Sequence, residues 1–445
     1  MTYRKTILLL PLLAAVAAPA PARAASGRYH HSPCTPKSKL PGCVLKSHST
    51  ELQPYTPKKH TDNGLKDRMT EAGRRARGFY ITAYWMSRIG AKKTAQMMKR
   101  ANMTAVVIDM KDDFGQITYP SKIPLARRLA QRYVKDPAEA AKIFHEHGIY
   151  VIGRVVCFKD SRLPYHRPDL AVRIGPRAER LFSAGANWID HYSAEVQDYL
   201  VDIALELQSF GFDEVQFDYI RFPKGFAGTL GRWLHAEKDK RDRSTLIASF
   251  LEKVDRALTI PISVDIYGLT TLVDGDPRSL GQTIEQMARY VDGVSPMMYA
   301  NGMRTYFKGD KVTERVYSII HCGLWRARHK APGIVLRPYL QAYPDSVQDF
   351  FGHDFIKKQV LAAERAGSNG FLFWNAGMRN GVAYAALQQM GKHIDAFGSD
   401  VEQYKTPSNN PGAWCPQQGM VFGGNGKNGA ASRKAKGGNG DGAEE

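Results

Sequence analysis

The chain is poor in cysteine, with five in 445 residues. None are spaced C-x-x-C, which argues against a zinc knuckle or a redox dithiol. H-E-x-x-H is absent, and no H-x-H pair ends the first apolar strand, so the sequence marks of a metal hydrolase are missing. His145 and His147 bracket Glu146 at a helix end, where surface or capping roles fit better. No G-x-S-x-G marks a serine nucleophile at a strand–helix turn. No G-x-G-x-x-G follows the first strand, which weakens a dinucleotide-binding reading. There is one long apolar run, Ile7 to Ala18, and it is N-terminal, so a polytopic membrane protein is excluded. No RNA-binding or zinc-finger signature accompanies the basic charge, and no nucleic-acid partner is expected. A cofactor is not expected either.

What is present is an ordinary globular composition with a strong positive excess. Hydrophobic residues make up 43%, and 62 Lys+Arg against 43 Asp+Glu leave a net charge of +19. Residues 1–24 read as a secretory leader. Arg4 and Lys5 precede the apolar run, and Ala22-Arg23-Ala24 offers a small-residue cleavage site. An exported, periplasmic or extracellular protein follows as an expectation. Residues 25–76 form a basic linker, carrying ten Lys/Arg against four Asp/Glu. It could meet an anionic envelope surface. Within it, Cys34 and Cys43 flank a Pro/Lys-rich loop and could form a local disulfide. Cys322 and Cys415 are a second candidate pair, and Cys157, inside an apolar strand, reads as a buried free thiol. Residues 397–422 form a C-terminal extension, and 423–445 are a low-complexity, disordered tail.

Between 77 and 396 one grammar repeats eight times: a short apolar run, a loop, an amphipathic helix. The runs begin with GFYITAY at 78 and AVVIDMK at 105 and end with GFLFWNA at 370. Several helical patterns stop at Gly just before the next strand, as at Gly148, Gly211 and Gly367, which suits a left-handed helix stop. Eight strand–helix units predict an α/β fold, a (β/α)8 TIM barrel.

Strand alternation adds a second signal. In EVQFDYI, Val215 and Phe217 share one face, while Glu214, Gln216 and Asp218 share the other. The apolar face belongs under the helices, so the polar set points into the barrel. By the same parity Asp109 and Lys111, Arg154, Ser263, Asp265 and Tyr267, Ser295, Arg337 and Gln341 face inward. Lys111, with Asp109 and Asp112 close in sequence, reads as paired rather than nucleophilic. An interior salt bridge such as Asp109 with Arg154 is the bland account of this set. An active site at the C-terminal mouth is the functional one. Asp218 and Asp265 end neighbouring strands about 4.8 Å apart. That can place two carboxyls at the separation used by glycosidases, one attacking or activating water and the other protonating the leaving oxygen. Tyr84, Trp85, Tyr219, Tyr299, Tyr343 and Trp374 lie near strand ends and could stack on sugar rings. Arg221 and Asn375 complete the candidate substrate-binding set with Asp109, Arg154, Gln216 and Gln341. Strand alternation puts one of Trp374 and Asn375 toward the cleft, but FLF is apolar on both faces and leaves open which.

The stretch FGFDEVQFDYIRFP, with RGFYITAYW and VVIDMKDDFG before it and SVDIYG, SPMMY, YLQAY and GFLFWNAG after it, resembles a bacterial "putative glycosyl hydrolase" family within the TIM-barrel glycosidase superfamily. The resemblance covers roughly residues 76–395. It implies a (β/α)8 fold and a carbohydrate-active role but supplies no substrate; a polysaccharide or oligosaccharide is the expected one. By similarity to α-amylase-type barrels, the fourth-strand Asp218 would be the nucleophile and the fifth-strand Asp265 the acid/base. The residues point to a secreted glycoside hydrolase acting on an envelope or extracellular polysaccharide. A non-catalytic carbohydrate-binding or cell-surface barrel is the alternative, and a different barrel hydrolase or lyase a third.

Overall fold

The computed structural model describes residues 68–391 and 394, apart from 176, 183–185, 225–230, 237–238, 240, 273–276, 304–311 and 345–350. The expected leader, the Cys34–Cys43 loop, the C-terminal extension and the tail lie outside the described residues, as does most of the basic linker.

Strands β1 (Arg77–Ile81), β2 (Ala105–Lys111), β3 (Tyr150–Val156), β6 (Glu214–Asp218), β7 (Ile262–Tyr267), β8 (Gly293–Met297), β9 (Val335–Leu336), β10 (Tyr339–Gln341) and β11 (Phe371–Trp374) form one sheet. Every pairing in it is parallel. A pairing of Tyr339 with Met297 closes the sheet into a barrel. Arg337 and Pro338 interrupt one strand position, so β9 and β10 together supply the seventh stave. Proline has no N–H to give a ladder. A two-stranded antiparallel piece, β4 (Arg173–Ile174) with β5 (Arg180–Leu181), lies in the long connection after β3.

Helices wrap the barrel, and three of the longer ones start at a side-chain cap. Asp136 accepts from Glu139 N–H, Ser193 from Val196 N–H, and Asp242 from Ser244 and Thr245 N–H. The expected glycine stops are found: Gly148, Gly211 and Gly367 have φ of 63°, 82° and 76°. The core lies between strands and helices, with Phe217 against Phe250, and Phe79 against Phe373 and Tyr384.

The linker expected to run to 76 ends earlier, which corrects that boundary. Arg68 Nε donates to Asp292 Oδ1 at 3.1 Å and its Nη1 to the Leu258 carbonyl at 3.1 Å. Met69 is buried, and Gly73 O accepts from Arg337 Nη1 at 2.9 Å inside the barrel. Residues 68–76 therefore plug the N-terminal end of the barrel. Single polar anchors hold them, which hydrophobic periodicity does not reveal.

Cys157 is free and buried, as read from its strand. Cys322, also buried, is in a disulfide whose other half lies outside the described residues.

Candidate active site

The inward side chains stack in layers along the barrel axis. Deepest is a closed ionic cluster. Arg337 and Ser263 both donate to Glu214 Oε1, and Tyr150 Oη donates to its Oε2 at 3.1 Å. Glu214 and Arg337 are fully buried and ion-paired with each other, so this layer is structural. Above it, Tyr339 Oη donates to Gln216 Oε1 at 2.7 Å and Gln216 Nε2 donates to Ser295 Oγ at 3.3 Å. Gln216 thus spends its amide on the barrel wall below the mouth.

The upper layer holds the acids. Arg154 sits at its centre. Its Nη1 reaches Asp109 Oδ1 at 2.5 Å, its Nη2 reaches Asp113 Oδ1 at 2.8 Å, and its Nε and Nη2 reach Asp218 Oδ2 at 3.1 and 2.5 Å. The guanidinium also lies 5.3 Å from the Tyr80 ring centroid, and Tyr80 Oη donates to Asp109 Oδ2. Asp218 Oδ1 accepts from Tyr219 N–H at 2.5 Å. Asp113 was not among the sequence candidates. Its signal was the Asp112-Asp113 pair directly after β2, where Asp112 instead turns the loop by accepting from Phe114 and Gln116 N–H.

Asp265 behaves differently. Phe217 pairs with Val264 across β6 and β7, and Asp218 and Asp265 are the next residues on the two strands. Asp265 is 1% exposed, and neither carboxyl oxygen has a hydrogen-bond partner. Burial, and then the charge of Asp218, push its carboxyl well above the usual range, with Arg154 and Arg337 opposing. A carboxyl shifted this way favours its protonated form, and it lies beside a carboxyl fixed by an arginine. Asp109 is pushed up to about 7, first by burial and also by Asp113, against the pull of Arg154. Asp113 resists its own burial because Arg154 and Lys159 hold it below the ordinary value.

The raised Asp109 makes a stability prediction. Its folded value lies above the unfolded carboxyl value of about 3.9. The folded state therefore binds more protons across that interval, and stability present in acid is lost as pH rises toward about 7. Asp109→Asn should flatten the fall in thermal midpoint between pH 4 and pH 7. An unchanged slope would rule this out.

The aromatic candidates separate. Trp374 lies 6.1 Å from Tyr80, 5.5 Å from Tyr299 and 5.4 Å from Tyr343. It is the cleft-facing member of its pair, because Phe373 takes the helix side. Asn375 is tied into the loop, donating to the Ala342 and Arg379 carbonyls and accepting from Gly377 N–H. Gln341 spans neighbouring loops, accepting from Asn301 N–H and donating to the Tyr343 carbonyl. Tyr84 is 59% exposed on the helix Ala83–Ile89, edge-on to Tyr133 at 5.8 Å, away from the acids. Tyr219 and Arg221 form the turn after Asp218. His191 stacks on Phe222 at 4.0 Å and bonds the Arg221 carbonyl through Nε2, which braces that turn. Burial pushes His191 down to about 3, so it stays a neutral brace.

Lys111 lies 2.8 Å from Asp160 Oδ2 and donates to the Val156 carbonyl at 2.9 Å. It is an interior pin, paired as expected, but with Asp160 rather than with Asp109 or Asp112. His145 binds Asp213 and His147 the Ile143 carbonyl. Among the described residues no three His, Cys, Asp or Glu side chains converge as metal ligands do. A cavity of about 530 Å³ opens at the N-terminal end, lined by Glu71, Arg75, His145 and Asp213. It is at the wrong end of the barrel for the upper acids.

Among curated proteins none matches this chain. Among solved structures, a hypothetical protein from Ruminiclostridium thermocellum is 32% identical over 42% of this chain and 96% of its own, with a TM-score of 0.38. The PgaB (BpsB) glycoside hydrolase domain from Bordetella bronchiseptica is 14% identical, covering 71% of this chain and 98% of its own, with a TM-score of 0.51, a likeness of fold. The spore cortex-lytic enzyme SleL of Bacillus cereus is 11% identical over 71% of this chain and 74% of its own, with a TM-score of 0.44. Residues 78–380 match the family described as "putative glycosyl hydrolase domain", and the chain belongs to that family.

Proposed function

We propose that the protein is an exported glycoside hydrolase acting on an envelope or extracellular polysaccharide, with Asp265 as the general acid and Asp218 as the carboxylate facing the anomeric carbon. The observation that carries this is Asp265: a buried carboxyl with no hydrogen-bond partner, next to an ion-paired one. Burying two carboxyl oxygens without partners costs free energy and is rare outside functional sites. As the glycosidic bond breaks, Asp265 passes its proton to the leaving oxygen. Asp218 either bonds to the anomeric carbon, and a water deprotonated by Asp265 then hydrolyses that ester, or takes the proton of a water that attacks the carbon directly; the anomeric configuration of the product distinguishes the two. Trp374, Tyr299 and Tyr343 supply apolar rings for sugar faces. The leader-like residues 1–24 and the disulfide at Cys322 support export, because disulfides persist in oxidising compartments. The basic linker would hold the enzyme near an anionic envelope surface.

The test is reducing-end release from a panel of polysaccharides, wild type against Asp265→Asn. Release by neither protein from any of them would count against the reading.

The tie between Asp218 and Arg154 favours a second reading of this residue, as a structural ion-pair member only, and one variant separates the two. Asp218→Asn should stop hydrolysis and lower stability by about 1.5–3 kcal/mol, the range for a hydrogen bond to a charged group. The loss stays in that range because Arg154 keeps Asp109 and Asp113. Full activity in this variant would remove Asp218 from the reaction.

A further inference from the structure

Beside the acids lies a group of cations that the hydrolytic chemistry leaves unused. Tyr219 has φ 47°, in the left-handed region, and turns the chain immediately after Asp218. Its ring carries two positive charges, Lys159 Nζ at 4.5 Å and Arg221 at 4.9 Å from the centroid. Arg221 also lies 5.3 Å from the Trp188 ring. Further round the mouth, Lys224 Nζ donates to Tyr267 Oη at 2.7 Å and sits 4.7 Å from that ring. Arg221 is near enough to Asp218, Tyr267 and Asp113 to feel their charge, so the group forms one arc from the end of β3 past β6 to the end of β7.

The charges in this arc do not balance. Asp218 is taken by Arg154, and Asp113 is shared between Arg154 at 2.8 Å and Lys159 at 3.8 Å. Among the described residues no salt bridge reaches Arg221 or Lys224, and the buried Nε–H of Arg221 has no acceptor. Its Nη1 finds one neutral carbonyl, that of Phe222. Placing like charges on one aromatic ring, with a guanidinium N–H left unbonded, is unfavourable until an anion arrives. Tyr219 and Tyr267 beneath them give a sugar ring a surface to lie on.

We propose that the mouth is built for an acidic glycan, whose carboxylate, sulfate or phosphate is bound by Arg221, Lys159 and Lys224 while its ring rests on Tyr219 and Tyr267. This rests on the reading of the mouth as a glycoside hydrolase site and names its substrate class. Mixed neutral glycans would leave the arc uncompensated.

The experiment uses the full chain carrying Asp265→Asn, so that glycans bind without being cut. Its affinity is measured for polygalacturonate, dextran sulfate and a poly(glycerol phosphate) polymer, with neutral dextran as reference. At least one acidic polymer should bind about tenfold or more tightly than dextran, the size of one charge-assisted hydrogen bond, and the advantage should shrink as salt rises. Which polymer binds best identifies the anionic group. Lys159→Gln, at a half-buried position, and Lys224→Gln, at an exposed one, should each reduce acidic binding and leave dextran unchanged. Equal affinity for dextran and the acidic polymers, no binding to any acidic polymer, or equal losses on both in the lysine variants would overturn the proposal. Reducing-end release by the wild type keeps the two readings apart. Release from neutral but not acidic glycans sinks the acidic preference and leaves the hydrolase. Acidic binding with no release from any glycan sinks the hydrolase and leaves the acidic preference.

Discussion

Asp265→Asn is expected to lower hydrolysis by about 10²–10⁴-fold, the usual share of a general acid, while the fold stays intact or becomes slightly more stable at neutral pH. Asn keeps the shape and the neutrality of the protonated carboxyl and removes only its proton-donating ability. Nothing in the barrel depends on hydrogen bonds from the Asp265 side chain, because both of its oxygens lack partners. The stability sign follows from linkage. Burial and Asp218 raise the folded value above the unfolded one. A carboxyl with a raised folded value contributes stability that is fully present below the unfolded value and is lost as pH rises toward the folded one. At neutral pH the wild type carries that loss and the Asn variant does not. Thermal midpoints of both proteins at pH 4 and pH 7, with turnover on whichever glycan the wild type cleaves, decide the matter. A variant that unfolds would show Asp265 to be structural. A variant that still turns over would place the acid elsewhere, with Asp109 as the next carboxyl held above its ordinary range.

Much of this arrangement was legible in the sequence, for one physical reason. Period-two alternation sorts each strand into a helix-facing and an axis-facing set, so Asp109, Arg154, Asp218 and Asp265 were assigned to the interior together. The pairing of Asp109 with Arg154 follows from the same parity and is present, but the rest of the contacts within that set do not follow from it. Arg154 pairs in register with Asp109 on one side and Gln216 on the other, yet its long side chain bypasses Gln216 and takes Asp218. Side-chain reach of that kind depends on barrel stagger, which no single strand encodes. Lys111 sits where the β2–β3 register shifts, so its alternation gave no guide to Asp160 as its partner. Trp374 and Asn375 were undecidable because β11 is apolar on both faces. The answer comes from the neighbouring strand and the helix layer, where Phe373 stacks on Phe79 and Phe79 in turn meets Tyr384. The N-terminal plug escaped notice because Arg68 and Gly73 act singly, through long-range polar contacts.

Arg154→Met is expected to be the most damaging single change in the upper layer, costing about 3–5 kcal/mol, the range for breaking a buried ion pair. The arginine is almost wholly buried, and Asp109, Asp113 and Asp218 outweigh that burial and hold its proton more firmly than usual. Removing it leaves three carboxyls converging on an apolar side chain, with Lys159, 3.8 Å from Asp113, the remaining cation in the salt-bridge set. Those carboxyls would then take up protons in the folded state that they do not hold when unfolded. Folded values raised in this way make stability fall as pH rises. In the wild type Asp113, held low by Arg154 and Lys159, works in the opposite direction and loses its contribution in acid. The gap between variant and wild type should therefore be widest at neutral pH and narrow toward pH 4. Arg154→Lys keeps one charge but cannot fork toward carboxylates on both sides, so it should fall between the two. Denaturant or thermal unfolding of the three proteins across that pH range measures all of this. A Met variant within about 1 kcal/mol of wild type, no more than an exposed pair contributes, or a gap that does not change with pH, would mean that the acids stay apart without their arginine. Asp218 would then hold its charge without Arg154, and its place beside Asp265 would need a different cause.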